Sequence, residues 1–181
     1  MRSLSNLLLI AGTGRNSGKT AIACAIIDKF STRYSITGIK ISPHFHEKTN
    51  VLKIVQKDQN FNIYLETSKK TGKDTSKMLN AGAGKVFYVE GTDEHLQEAF
   101  YSLVKLIPEN GPVVCESPAL RRIVTPGMFI ITDHEKVSSK KQDVIRMKNF
   151  ADFYFDFQKD SLEKLFSAID FKSNTWVHVT D

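Results

Sequence analysis

Apolar residues in this chain fall into short unbroken blocks separated by amphipathic stretches. Residues 7–11 (LLLIA) are apolar throughout, as a strand buried on both faces of a parallel sheet requires. Residues 21–30 (AIACAIIDKF) continue as a helix, and residues 35–42 (SITGIKIS) read as a second strand stopped by Pro43. A polar loop, 44–50, comes next. Residues 51–56 and 61–66 are two alternating runs joined by KDQN, which is hairpin chemistry. They predict antiparallel strands at a sheet edge or a projecting arm.

Beyond the hairpin, the pattern predicts a short helix over 71–81 and a core strand over 85–89 (KVFYV). A long helix over 92–107 places Leu96, Phe100, Leu103 and Ile107 on one face. Strands are expected at 111–116, 128–132 and 152–157, helices at 139–149 and 161–169, and a short further strand at 176–179. Strands alternating with helices indicate a doubly wound, mostly parallel sheet, a three-layer α/β/α arrangement with an inserted hairpin. The chain shows no internal repeat, low-complexity tract or linker, so residues 1–181 are read as one domain.

Composition refines this picture modestly. A chain of 181 residues with 41% apolar content can fill a single core. The formal charge is +5 and the pI near 9.1. The basic residues are scattered, with local groups only at 69–73 and 136–148, which suit a solvated surface, polyphosphate steering or an acidic partner. They lack the clustering with aromatics that a nucleic-acid face needs, so nucleic acid is not an expected partner. Cys24 and Cys115 have no C-x-x-C spacing and read as buried thiols in a reducing compartment. The apolar run after Arg2 is too short for a secretory signal, and no stretch approaches a membrane span. A cytoplasmic protein without membrane contact is therefore expected.

Candidate chemistry begins at residues 12–20, GTGRNSGKT, between the first strand and the first helix. Gly12, Gly14 and Gly18 allow the backbone of Thr13, Arg15, Asn16 and Ser17 to curl so that successive N–H groups meet one anion. The helix then presents its positive end to the same point. Lys19 is expected on the β/γ-phosphates and the Thr20 hydroxyl on magnesium. The first glycine stands one residue early relative to G-x-x-x-x-G-K-[ST], with Thr13 in the register position. Nucleotide binding is the expectation.

Ligands of such sheets lie beyond the carboxyl ends of the strands, so the strand tails are informative. After the second strand, Lys40 can add charge near the phosphates, while Ser42, His44, His46 and Glu47 can place water or magnesium, or form an ordinary polar loop. His44 and His46 alone do not make a zinc site, which takes four ligands. Glu116 ends an apolar strand and is the candidate carboxylate for magnesium, with capping of the next turn as the alternative. Arg121 and Arg122 can reach a phosphate or carboxylate, or pair with surface acids. Asp133 can accept hydrogen bonds from a guanine, although the [NT]-K-x-D run of GTPases is absent. Lys19 and Lys40 are the candidate catalytic residues.

Together these stretches resemble the molybdopterin-guanine dinucleotide biosynthesis protein B family of GTP-binding accessory proteins. The match lies in SGKT at 17–20, GIK with a His-containing acidic loop at 38–47, GKDTSKMLNAGA at 72–83, and the strand ending in Glu116. The chain departs from the family where Pro43 and Phe45 lengthen the His loop and where SPALRR follows Glu116. The resemblance implies a P-loop fold and a homodimer that binds GTP with magnesium and hydrolyses it weakly if at all. It also implies a partner nucleotidyltransferase that joins GMP to molybdopterin, with Lys73 and Asp74 near the nucleotide or that partner. The G-T-x-x-x-x-G-K-T form is also similar to the dethiobiotin synthetase and cobyrinate amidase branch. That similarity implies ATP-dependent carboxylate chemistry, or a small-molecule kinase, as the alternative.

Overall fold

The structure, a computed structural model, describes residues 2–45, 52–135 and 137–179. In chain order its elements are β1 (Arg2–Gly12), α1 (Lys19–Ser31), β2 (Thr37–Ser42), β3 (Leu52–Lys57), β4 (Phe61–Glu66), α2 (Asp74–Asn80) and β5 (Lys85–Gly91). There follow α3 (Leu96–Val104), β6 (Val113–Glu116), β7 (Val124–Asp133), α4 (Gln142–Arg146), β8 (Phe153–Asp156), α5 (Leu162–Ala168), β9 (Ile169–Lys172) and β10 (Thr175–His178).

Eight strands form one sheet in the order β3-β4-β5-β2-β6-β1-β7-β8. From β5 to β8 all neighbours are parallel, and β4 and β3 extend one edge as an antiparallel hairpin. The continuous apolar run of β1 follows from burial on both faces. Leu7, Leu9 and Ala11 pack with Phe100 and Leu103 of α3, while Leu8 and Ile10 pack with Ile22 and Ile26 of α1, Met78 of α2 and Leu165 of α5. Connections that lead from β1 towards β5 thus lie on one face, and the return through α3 lies on the other. The chain reverses direction between β1 and β6, and that reversal leaves a crevice at their carboxyl ends.

Several predicted elements come out shorter, each for a local reason. The helix expected over 92–107 is α3 alone, after a 3₁₀ turn at Asp93–His95 tightened by a Thr92 Oγ1–His95 Nδ1 contact of 2.9 Å. Pro108 disfavours helical backbone just before it. The helix expected over 71–81 starts only at Asp74, because Gly72 adopts φ 70° in the turn before it. The stretch over 139–149 yields α4 and a 3₁₀ turn at Met147–Phe150, its first residues being engaged by the glycine loop. β9, where the final helix was expected to end, pairs with β10 across a two-residue turn. Ser173 and Asn174 both have positive φ there, at 49° and 58°, the geometry that suits a hairpin's twist. Val51 and Lys136, which open the expected hairpin and basic group, lie outside the described residues. Cys115 is buried, but Cys24 is only half-buried, a correction to the expectation of two buried thiols.

Candidate functional site

The loop between β1 and α1 is held tight by its own side chains. A Cβ on Gly12 would stand 1.9 Å from Ser17 Oγ, and one on Gly14 would stand 2.6 Å from the Ser139 carbonyl. Gly18 has φ 82° and faces Phe157 at 2.2 Å, so this turn needs glycine for both conformation and space. Asn16 shares the left-handed region at φ 62°. Arg15 is exposed at the loop's rim.

Lys19 folds over this loop, donating to Gly14 O at 2.9 Å and to Ser17 Oγ at 3.2 Å. Burial pushes its pKa below the ordinary lysine value; Glu116 opposes the shift, and the like charges of Lys40 and Lys141 add to it. An anion beside Lys19 would relieve that condition. The N-terminus of α1 has a glycine cap and no acid in its first turn, so the loop faces a helix end open to negative charge.

Glu116 ends β6 with only 1% of its surface exposed. Thr20 Oγ1 donates to its Oε2 at 2.7 Å, and Lys40 pairs with its Oε1. The parallel register puts Lys40 directly beside Glu116, and alternation turns both towards the α1–α2 side. Lys40 also reaches Asp74, the first residue of α2, at 3.1 Å. Burial works against the Lys40 charge, but Glu116 and Asp74 outweigh it and hold its pKa above the ordinary value. Residues 20, 40, 74 and 116 thus meet at one point beside the glycine loop. The turn after β6 is capped by Ser117 Oγ, which accepts from Leu120 N at 3.2 Å, so capping is not the task of Glu116.

Asp133, Lys140 and Lys141 border the other side of the loop. Asp133 accepts from Thr13 Oγ1 at 2.6 Å, His134 N at 3.0 Å, Lys140 Nζ at 2.5 Å and Tyr154 Oη at 2.7 Å. Lys141 N donates to Thr13 O at 2.6 Å. Burial raises the Asp133 pKa, yet the bonds from Lys140, Thr13 and Tyr154 prevail and hold it at about 2. Its acceptor positions are filled, so Asp133 is a clamp on the loop and not a free acceptor for a base.

Among the described residues, the other expected ones are held by different partners or are exposed. Arg122 pairs with Asp93 at 2.7 Å. Arg121 lies over the rings of Phe129 and Phe150 and donates to Val124 O at 3.4 Å. The aromatic faces and a surface acid thus hold these two guanidiniums, the surface-acid alternative being the one seen for Arg122. Lys73 is exposed at the start of α2. His44 is exposed, its N–H donating to Ser42 Oγ, while His46 and Glu47 lie outside the described residues.

Among the described residues, no group of three or more His, Cys, Asp or Glu side chains is placed to hold a metal by itself. A site of one hydroxyl and one carboxylate instead suits magnesium that takes its other ligands from phosphates and water. The sequence reading missed Glu66, which is 4% exposed and ties down the loop before α2. Its signal is the one that marked Glu116, an acid ending a buried run. Compared with family models, curated proteins and solved structures, the chain has no match.

Proposed function

We propose that this chain is a P-loop protein that binds a purine nucleoside triphosphate with magnesium at the Gly12–Thr20 loop. In this reading it is a GTP-binding accessory protein for the synthesis of molybdopterin guanine dinucleotide in the cytoplasm. The observation that carries the nucleotide part is the 2.7 Å contact between Thr20 and Glu116 beside a lysine folded over a glycine loop. Lys19 and Thr20 open α1 while Glu116 ends β6, and a merely structural turn would not need them together. The cofactor role and the guanine base rest on the sequence resemblance.

The roles follow from charge. The loop amides and Lys19 would meet the β/γ-phosphates, with Lys19 leaving Gly14 O to do so. Thr20 and Glu116 would hold the magnesium ion, which supplies neutralisation of the phosphate oxygens. Lys40 stands next to the same space and would oppose the charge of the terminal phosphate. The resemblance also implies a homodimer, and β3 at the sheet edge supports it, with Ile54 and Val55 exposed on the outermost strand. The partner would be a nucleotidyltransferase.

A second reading, an ATP-dependent enzyme acting on a small carboxylate or alcohol, is favoured by the placement of Lys40 beside Asp74 and Glu116. Arg121 and Arg122, the rest of the substrate clamp it expects, are engaged with Phe129 and Asp93 instead, which favours the first reading. Competition between GTP and ATP for a fluorescent nucleotide tests the first reading. Preference for GTP with a substrate-independent trickle of phosphate release is the expected result. Preference for ATP, with release stimulated by a small carboxylate, would move the assignment to the enzyme.

A further inference from the structure

We propose that the 66–76 loop positions Lys40 for the terminal phosphate, with Asp74 as its contact residue and Glu66 as the group that holds Asp74. The inference rests on the nucleotide reading of the glycine loop.

An ammonium has three donors, and Lys40 directs two of them to Glu116 and Asp74. Its third donor is left for an acceptor such as a phosphate oxygen. Glu116 is fixed by the sheet register, but Thr20 shares it and magnesium would draw on it too. Asp74 is therefore the partner that keeps Lys40 aligned when a ligand is present.

Asp74 sits at the mouth of a loop that does not pack by itself. At Gly72 no atom stands within 4 Å of where a Cβ would be, so the tip is open to solvent. What anchors the loop to the end of β4 is one buried carboxylate. Glu66 Oε1 accepts from Thr67 N at 3.0 Å and Ser68 N at 2.9 Å, and its Oε2 accepts from Thr75 Oγ1 at 2.7 Å. Those bonds tie the start of the loop to the residue next to Asp74. Ser76 Oγ adds a bond from Thr71 N at 3.1 Å. Bonds to a charged acceptor in a buried place are among the stronger ones. Glu66 is thus a positioning residue that acts on Lys40 through Asp74.

The test compares binding of a non-hydrolysable nucleoside triphosphate with that of its diphosphate, both with magnesium, using the full chain. Asp74→Asn should weaken the triphosphate about tenfold and leave the diphosphate within about twofold, as expected for one charge-assisted contact. Glu66→Leu should give the same selective loss, but it strips three donors of their acceptor and can unfold the loop. Thr75→Val keeps the shape, removes only the hydroxyl on Glu66, and should show the same selectivity. Glu66→Gln, which still accepts from the two amides, should recover most of the affinity. Asp74→Asn combined with Thr75→Val should lose little more than Asp74→Asn alone, since both act on one contact. Equal loss for both nucleotides, or no loss, in variants of a chain that binds both would overturn the positioning role and leave the nucleotide reading standing. A wild-type chain that binds neither nucleotide would overturn both.

Discussion

Two lysines in the site are held in opposite ways, and that difference sets what each substitution does. Lys19 donates to a carbonyl and a hydroxyl, neither of which is left charged when it is removed. Lys19→Ala should therefore cut nucleotide affinity about 10- to 100-fold, the size of one or two charged hydrogen bonds, with little change in melting temperature. Titration calorimetry with a thermal melt checks both halves. Lys40 neutralises the buried carboxylate of Glu116. Lys40→Ala should cost about 3 kcal/mol of stability, because it leaves that charge buried with a hydroxyl as its remaining partner. A denaturant titration in which Lys19→Ala destabilises more than Lys40→Ala would contradict this account. Gly18→Ala should cost at least about 1–2 kcal/mol for its left-handed backbone, before the contact with Phe157 is counted, and should weaken nucleotide binding with it.

At the scale of elements, the glycine loop is gripped between α1 and the residues around Asp133 and Lys141. Asp133 ties the end of β7 to Thr13 and to Tyr154 of β8. Its pKa of about 2 lies below the ordinary 3.8, so the folded state binds this proton more weakly than the unfolded chain. The clamp's contribution is therefore complete above about pH 4 and is lost as pH falls through about 2. Asp133→Asn should flatten the acid limb of a stability–pH curve in that window, and an unchanged limb would remove Asp133 from the account. Cysteine chemistry follows the same logic. Burial pushes the Cys24 thiol to about 11, with Asp74 and Glu116 adding to it, and burial also drives Cys115 upward. Both thiols should resist alkylation at pH 7 in the folded chain and react once it is unfolded.

The legibility of the chain also divides at this scale. The glycine loop, the first helix and the hairpin could be read because their signals are local: glycine spacing, an apolar block, alternation around KDQN. The meeting of Lys40, Asp74 and Glu116 could not, since it depends on which strands are neighbours and in what register. The stacking of Arg121 on Phe129 and Phe150 could not be read either, because only the fold brings those rings to its guanidinium. The β9–β10 hairpin turns on Ser173 and Asn174 without a glycine, so its turn carried no strong sequence mark. Trp176 on β10, edge-on to Phe30 and Phe171, shows only in three dimensions why that hairpin docks on α1.

For the whole molecule, strand order explains why the site lies where it does. The sheet reverses its winding between β1 and β6, and the carboxyl ends of those strands supply Gly12 and Glu116. The hairpin of β3 and β4 extends the sheet beyond β5. Among the described residues no helix is long and apolar enough to cross a membrane. The central claim is that the crevice holds a magnesium-bound nucleoside triphosphate, with Thr20 and Glu116 as the metal's protein ligands. Titration of the full chain with a non-hydrolysable GTP analogue, in the presence of magnesium and again with a chelator, tests it most directly. The account predicts binding that falls about tenfold or more without magnesium and that loses this dependence in Glu116→Gln. Absence of binding, or the same affinity with and without magnesium, would contradict it.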